Sequence, residues 1–145
     1  MKIKVFNIEL EGIDKCGKDS VKRYFFYLAP GKYLPRARGL LSQLVYTELY
    51  DRDIEFDATD YVKNTLFVLL LVDKQDWEIR CKLTNEPDTG FSFEQMQNAF
   101  SNSVNRLHRD FDVPTERVMI FNTSHTTPFE ISKKVCERLE YLNRN

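Results

Sequence analysis

The spacing of apolar residues changes several times along this chain, and each change marks an element. Residues 3–10 are largely apolar with charged interruptions and predict a strand. Val21, Tyr24, Phe25 and Leu28 then recur three or four residues apart, the period of one helical face, and predict a helix over 20–28. Ala29, Pro30 and Gly31 stop it. A short extended piece is predicted over 32–37, with Pro35 disfavouring a central place in a sheet. Leu40, Leu41, Leu44, Val45 and Leu49 predict a second helix over 40–50. Residues 51–60 are acidic and irregular, with room for one helical turn. Residues 66–72 are apolar without a break, which reads as a strand buried on both faces of a parallel sheet.

The second half continues the alternation. Residues 76–83 are helix-like, with Trp77 as a packing anchor, and a turn-rich loop follows at 86–90. Ser92 is suited to cap a long helix over 93–111, whose apolar stripe is Phe93, Met96, Phe100, Val104 and Leu107. A loop at 114–117 leads to a last buried strand over 118–121. The polar loop 122–127 ends at Thr127 and Pro128, a favourable start for a final helix over 129–142. Strands alternating with helices in this way predict an α/β fold, three-layer, with a small, mostly parallel four-stranded sheet. Ligands of such sheets sit beyond the carboxyl ends of the strands.

A chain of 145 residues is large enough for one domain with its own core. The net charge of −1 argues against a sequence-blind grip on nucleic acid. The longest apolar run is too short to span a bilayer, and the charged first residues do not form a leader, so a cytoplasmic protein without a membrane partner is expected. Cys16, Cys81 and Cys136 form an odd, unpaired set and fit a reducing compartment. With two histidines and no Cys/His cluster, a structural zinc site is not expected.

The chemistry concentrates where the first strand meets the first helix. Gly12, Gly17 and Lys18 stand at the spacing of a phosphate-binding loop, Gly-x-x-x-x-Gly-Lys. The glycines let successive N–H groups turn towards one phosphate, the next helix adds its positive end, and the lysine supplies a cation. Between the glycines lie Asp14, Lys15 and Cys16, the last read as a small filler of a tight turn. Asp19 follows the lysine where a hydroxyl residue is usual, and Ser20 comes one later; both are candidates to hold Mg²⁺.

With those residues the chain resembles thymidylate kinase and the related phage deoxynucleoside monophosphate kinases. The likeness runs through Phe6-Asn7-Ile8-Glu9-Leu10-Glu11-Gly12-Ile13-Asp14 and on to Gly17-Lys18, and again through Arg38-Gly39-Leu40-Leu41-Ser42-Gln43-Leu44-Val45-Tyr46. It implies a P-loop NTPase-like fold, ATP and Mg²⁺ as cofactors, a nucleoside monophosphate as acceptor and a possible homodimer. By resemblance Lys18 and the loop hold the ATP phosphates, Asp14 approaches the acceptor sugar, Arg38 meets the acceptor phosphate, and Ser42 and Tyr46 lie near the acceptor. Arg80, with Lys82, stands where the family's lid arginines close over the transferred group, and Asn122, Thr123 and Ser124 fall near the base. Ala37 replaces the family's aspartate and Gly39 its first tyrosine, and the segment the family inserts before Arg38 is missing. A kinase-like binding module without turnover is therefore the alternative. An ATPase or GTPase switch ranks last, since Asp73 is the one acidic strand end besides the loop.

Overall fold

The unbroken apolar run becomes β3 (Thr65–Leu71), and the sheet is built around it. In the computed structural model, which describes residues 4–30, 33, 35–37, 39–51, 58–84 and 90–144, β1 (Asn7–Glu11) and β4 (Val118–Asn122) flank β3. A two-residue strand, β2 (Pro35–Arg36), lies outside β1, so the order is β2-β1-β3-β4, and every pairing is parallel. Pro35 thus sits on an edge strand, where its missing N–H costs least. Residues 66–70 of β3 are at most 1% exposed, so both faces of the strand are covered.

Among the described residues six α-helices surround this sheet: α1 (Lys18–Leu28), α2 (Leu40–Tyr50), α3 (Thr59–Lys63), α4 (Lys74–Thr84), α5 (Phe93–Asp110) and α6 (Pro128–Leu142). α1 packs along α6, where the buried Ser132 hydroxyl donates to the Val21 carbonyl at 2.8 Å. α2 packs along α5, tied at its rim by Asn102 to Glu48 at 2.9 Å and by Arg106 to Thr47 at 3.1 Å. Ser92 caps α5 in a reciprocal box with Gln95, and Thr127 caps α6 through the Glu130 N–H. Among the described residues no helix is long and apolar enough to cross a membrane.

The chain leaves β1 towards β2 on one side and leaves β3 towards β4 on the other. In parallel sheets such a reversal opens a crevice at the carboxyl ends of the two central strands. The loop after β1 lies at that point.

Some expectations need correction. The strand predicted from residue 3 begins at Asn7, because the Phe6 and Asn7 N–H groups both turn to the Asn64 carbonyl, and Val5 is held by the Asn143 side chain. Tyr24 and Leu28 were expected on the buried face of α1, but Val21 and Phe25 alone are buried there, and Tyr24 is turned out against the Phe129 ring. The last strand was expected to be buried; as an edge strand β4 is half-buried, with Ile120 exposed. The acidic stretch 51–60 was expected to hold one helical turn; α3 shares only residues 59 and 60 with it and runs on to Lys63, and residues 52–57 lie outside the described residues.

Candidate functional site

The loop between β1 and α1 is a bracket of backbone whose carbonyls are all spoken for. The Gly12 carbonyl accepts from the Lys18 ammonium at 2.8 Å, and the Ile13 carbonyl from the Cys16 N–H at 3.1 Å. The Asp14 carbonyl accepts from the Trp77 indole at 3.0 Å, and the Lys15 carbonyl from the Arg80 guanidinium at 2.7 Å. The Cys16 carbonyl accepts from the Thr123 hydroxyl at 2.5 Å. Two of these braces come from α4 and one from the turn after β4, so two separate segments fix one loop from outside it. A loop whose carbonyls are engaged outward suits an anion on its N–H side. Gly17 has φ 106° and Lys15 φ 69°, left-handed conformations that bend the chain tightly. α1 starts directly on Gly17, so no side chain takes up its first N–H groups, unlike those of α5 and α6.

Cys16 is fully buried behind the loop, and burial pushes its thiol up to about 11. A thiol that stays protonated at neutral pH is a filler here rather than a nucleophile.

Two cavities meet at this loop. The larger, about 760 Å³, runs past Lys15, Gly17, Asp19 and Ser20 to Arg80, Thr123 and Pro128. The smaller, about 140 Å³, lies between α2 and α5 and is lined by Ser42, Tyr46, Tyr50, Met96 and Phe100. Asp14 and Lys18 line both. Phosphate-binding candidates from one part of the sequence and acceptor candidates from another are thus brought to two sides of one lysine.

What the motif reading missed is how α2 is held. Glu9 and Glu11 share one face of β1 and are both fully buried. Glu9 accepts from the Leu40 N–H at 2.7 Å, the Leu41 N–H at 2.8 Å and the Tyr61 hydroxyl at 2.5 Å. Glu11 accepts from the Gly39 N–H at 2.7 Å and the Ser42 hydroxyl at 2.5 Å. The two carboxylates therefore fill the positive end of α2, the end that α1 leaves open. Gly39 is required by close approach: a methyl there would lie 2.0 Å from a Glu9 oxygen. Arg36 adds a cation 5.6 Å above the Tyr61 ring. Charged residues at alternate positions of a strand next to an unbroken apolar one carried a signal, since buried carboxylates must be paired.

Burial holds both carboxyls above their ordinary range, Glu11 at about 7 with Glu9 adding repulsion, while the Ser42 and Gly39 donors pull the other way. Folded Glu11 thus keeps its proton to higher pH than the unfolded chain does. Its contribution to stability is full below about pH 4.5 and is lost as pH rises through about 7. The melting temperature is expected to rise as pH falls from 8 to 5.5, by no more than the equivalent of about 3 kcal/mol. Scanning calorimetry beside Glu11→Gln checks this, and an equal rise in the variant would contradict it.

The remaining candidates separate. Thr123 braces the loop and lines the larger cavity. Asn122 instead donates to Asp73 at 2.9 Å and accepts from the Ser124 N–H at 2.8 Å, away from that cavity's lining. The Asp73 carboxylate is also held by His125 at 2.8 Å. Arg38, Glu86 and Asp88 lie outside the described residues. No group of three or more His, Cys, Asp or Glu that could hold a metal is found among the described residues.

Comparison with known proteins adds no relative: no family model, no curated protein and no solved structure matches the chain.

Proposed function

We propose that this chain is an ATP-dependent nucleoside monophosphate kinase, similar to thymidylate kinase, on a three-layer P-loop NTPase-like fold. The observation that carries the reading is the position of Lys18 and Asp14 on both cavities. Phosphoryl transfer needs two anionic substrates brought in line, with cationic and N–H groups where they meet. A hydrolase or a switch needs one nucleotide cavity; a second cavity sharing the same lysine suits an acceptor.

The residues fit the group they would hold. The triphosphate would lie against the N–H side of the loop and the uncapped start of α1, with Lys18 moving from the Gly12 carbonyl to its outer phosphates. Arg80 uses one donor on the Lys15 carbonyl, and a guanidinium has others for a phosphate beside it. Asp19 and Ser20 line the larger cavity and are hard oxygen donors suited to Mg²⁺, which would neutralise charge on the phosphates. Asp14, exposed at the junction, would take a hydroxyl of the acceptor, with Ser42 and Tyr46 lining the smaller cavity beyond it; the resemblance would give the acceptor phosphate to Arg38. An oxygen of the acceptor phosphate then attacks the γ-phosphorus as the bond to the ADP oxygen breaks.

At about 140 Å³ the acceptor cavity is smaller than a usual ligand site, so binding requires the Tyr46, Tyr50 and Phe91 rings, packed tilted and edge-to-face with centroids 5.2 to 5.9 Å apart, to part. That narrowness is what favours the second reading, a kinase-like module that binds nucleotide without turnover. A coupled ADP-release assay with ATP, Mg²⁺ and each deoxynucleoside monophosphate separates the two. Release that depends on one acceptor supports the kinase; ATP binding by calorimetry without acceptor-dependent release supports the module.

A further inference from the structure

The smaller cavity has a hydroxyl, Ser42, whose single proton is already committed. A serine offers one donor and two lone pairs. The Ser42 hydroxyl lies 2.5 Å from one Glu11 oxygen, while the other Glu11 oxygen is held by the Gly39 N–H at 2.7 Å. Glu11 is fully buried and cannot turn to solvent for another donor. Ser42 also lines the cavity, beside Asp14 and Lys18.

We propose that Glu11 is a positioning residue for the second cavity: it holds the Ser42 proton, so Ser42 presents a lone pair there and selects an acceptor that brings a hydroxyl or N–H donor to that point. The nucleotide nature of the acceptor rests on the kinase reading; the direction of the Glu11–Ser42 hydrogen bond does not. A phosphate oxygen would be refused at this point, because lone pair would face lone pair. The acceptor phosphate is thereby steered towards Lys18, and the donor-bearing part of the molecule towards Ser42.

The arrangement depends on where one proton lies. Among the described residues the charged and titratable groups that act on Glu11 are Glu9 on its own strand, Lys18 from α1 and Tyr61 from α3, while Arg36 from β2 acts on Glu9 and Tyr61. Ionised Glu11 must accept from Ser42. Protonated Glu11 can donate to the Ser42 oxygen instead, which frees the Ser42 proton to turn into the cavity and reverses its preference. With Glu11 titrating at about 7, both states lie within the physiological range.

The test has a readout on the protein alone and one on turnover. In the first, carbon-13 NMR follows the Glu11 carboxyl, assigned through Glu11→Gln, from pH 5 to 9 in the wild type and in Ser42→Ala. A near-neutral midpoint that rises in Ser42→Ala is expected, because a donor to the charged form has gone. A midpoint unmoved by Ser42→Ala, or one near 4.5, overturns the assignment. In the second, the KM of the acceptor is measured at pH 8 and pH 6 as a ratio between wild type and variant, which cancels the substrate's own titration. Ser42→Ala and Glu11→Gln are expected to raise that KM about threefold to tenfold at pH 8 with kcat nearly unchanged, and the gap is expected to close at pH 6. Equal losses in kcat and KM at both pH values would make Glu11 a purely structural residue and overturn the proposal. Absence of turnover with every acceptor overturns the kinase reading alone, and the NMR titration then decides the hydrogen bond.

Discussion

Lys18→Ala is expected to lower kcat/KM by about a hundredfold to a thousandfold while changing folding stability by no more than about 1 kcal/mol. The asymmetry follows from what the side chain touches. In the folded chain the ammonium donates to the Gly12 carbonyl at 2.8 Å, and Lys18 is half-buried at the junction of two cavities. Removing it leaves a carbonyl that water can reach, a modest loss for the fold. In the proposed transfer the cation would face charge that builds up as the phosphoryl group moves between substrates, and Lys18 with Asp14 is shared by both cavities, whereas Arg80 lines only the larger. The loss should fall chiefly on kcat, since stabilisation made in the transition state is what disappears. Steady-state kinetics together with thermal denaturation checks both halves. A variant that melts normally and turns over within tenfold of wild type would show that Lys18 lies off the reaction path.

Gly12→Ala should be a severely damaging small substitution, costing about 3 kcal/mol or more and abolishing ATP binding. A methyl on Gly12 would lie 2.4 Å from the Leu70 carbonyl oxygen and 2.7 Å from the Cys16 sulfur. The first contact is with backbone in the centre of the sheet, which cannot rotate aside as a side chain would. β1 and β3 pair in register from Asn7 opposite Thr65 to Glu11 opposite Leu69, so relief would have to part the two central strands or lift the loop. Gly17 differs: a methyl there meets Thr123 at 3.5 Å, an ordinary contact, and its requirement comes from its φ of 106° instead. Chemical denaturation and ATP calorimetry on Gly12→Ala measure both consequences. Wild-type stability with retained ATP binding would mean that the loop has more room at Gly12 than this packing allows.

The legible parts of the sequence were those in which one residue type has one physical use. The unbroken apolar stretch around Phe67 and Leu69 could only be a strand buried on both sides, and it is the centre of the sheet. Pro35 belonged at an edge and lies there. Gly12 and Gly17 announced a tight turn between β1 and α1, where Gly17 has φ 106°, and Ser92 and Thr127 announced the helix starts they cap. Residues whose meaning depends on distant partners were harder to read. Glu9 and Glu11 look like ordinary strand charges until α2 and Tyr61 arrive from 28 to 52 residues away to satisfy them. Arg80 read as a lid cation, yet its guanidinium also braces the loop backbone at Lys15. Asn122 read as a base contact, and its amide also donates to Asp73, a partner 49 residues away. Tyr24 matched the helical period as well as Phe25 did; the period gives a face, and only packing against α6 decides which ring on it is buried.

The central claim is that Lys18 works between two substrates and not on one. The most direct measurement follows the γ-phosphoryl group of labelled ATP, incubated with Mg²⁺ and a mixture of deoxynucleoside monophosphates, and separates the products by chromatography. The account predicts label in a nucleoside diphosphate, lost in Lys18→Ala. Label released only as inorganic phosphate, or retained wholly in ATP, would contradict it.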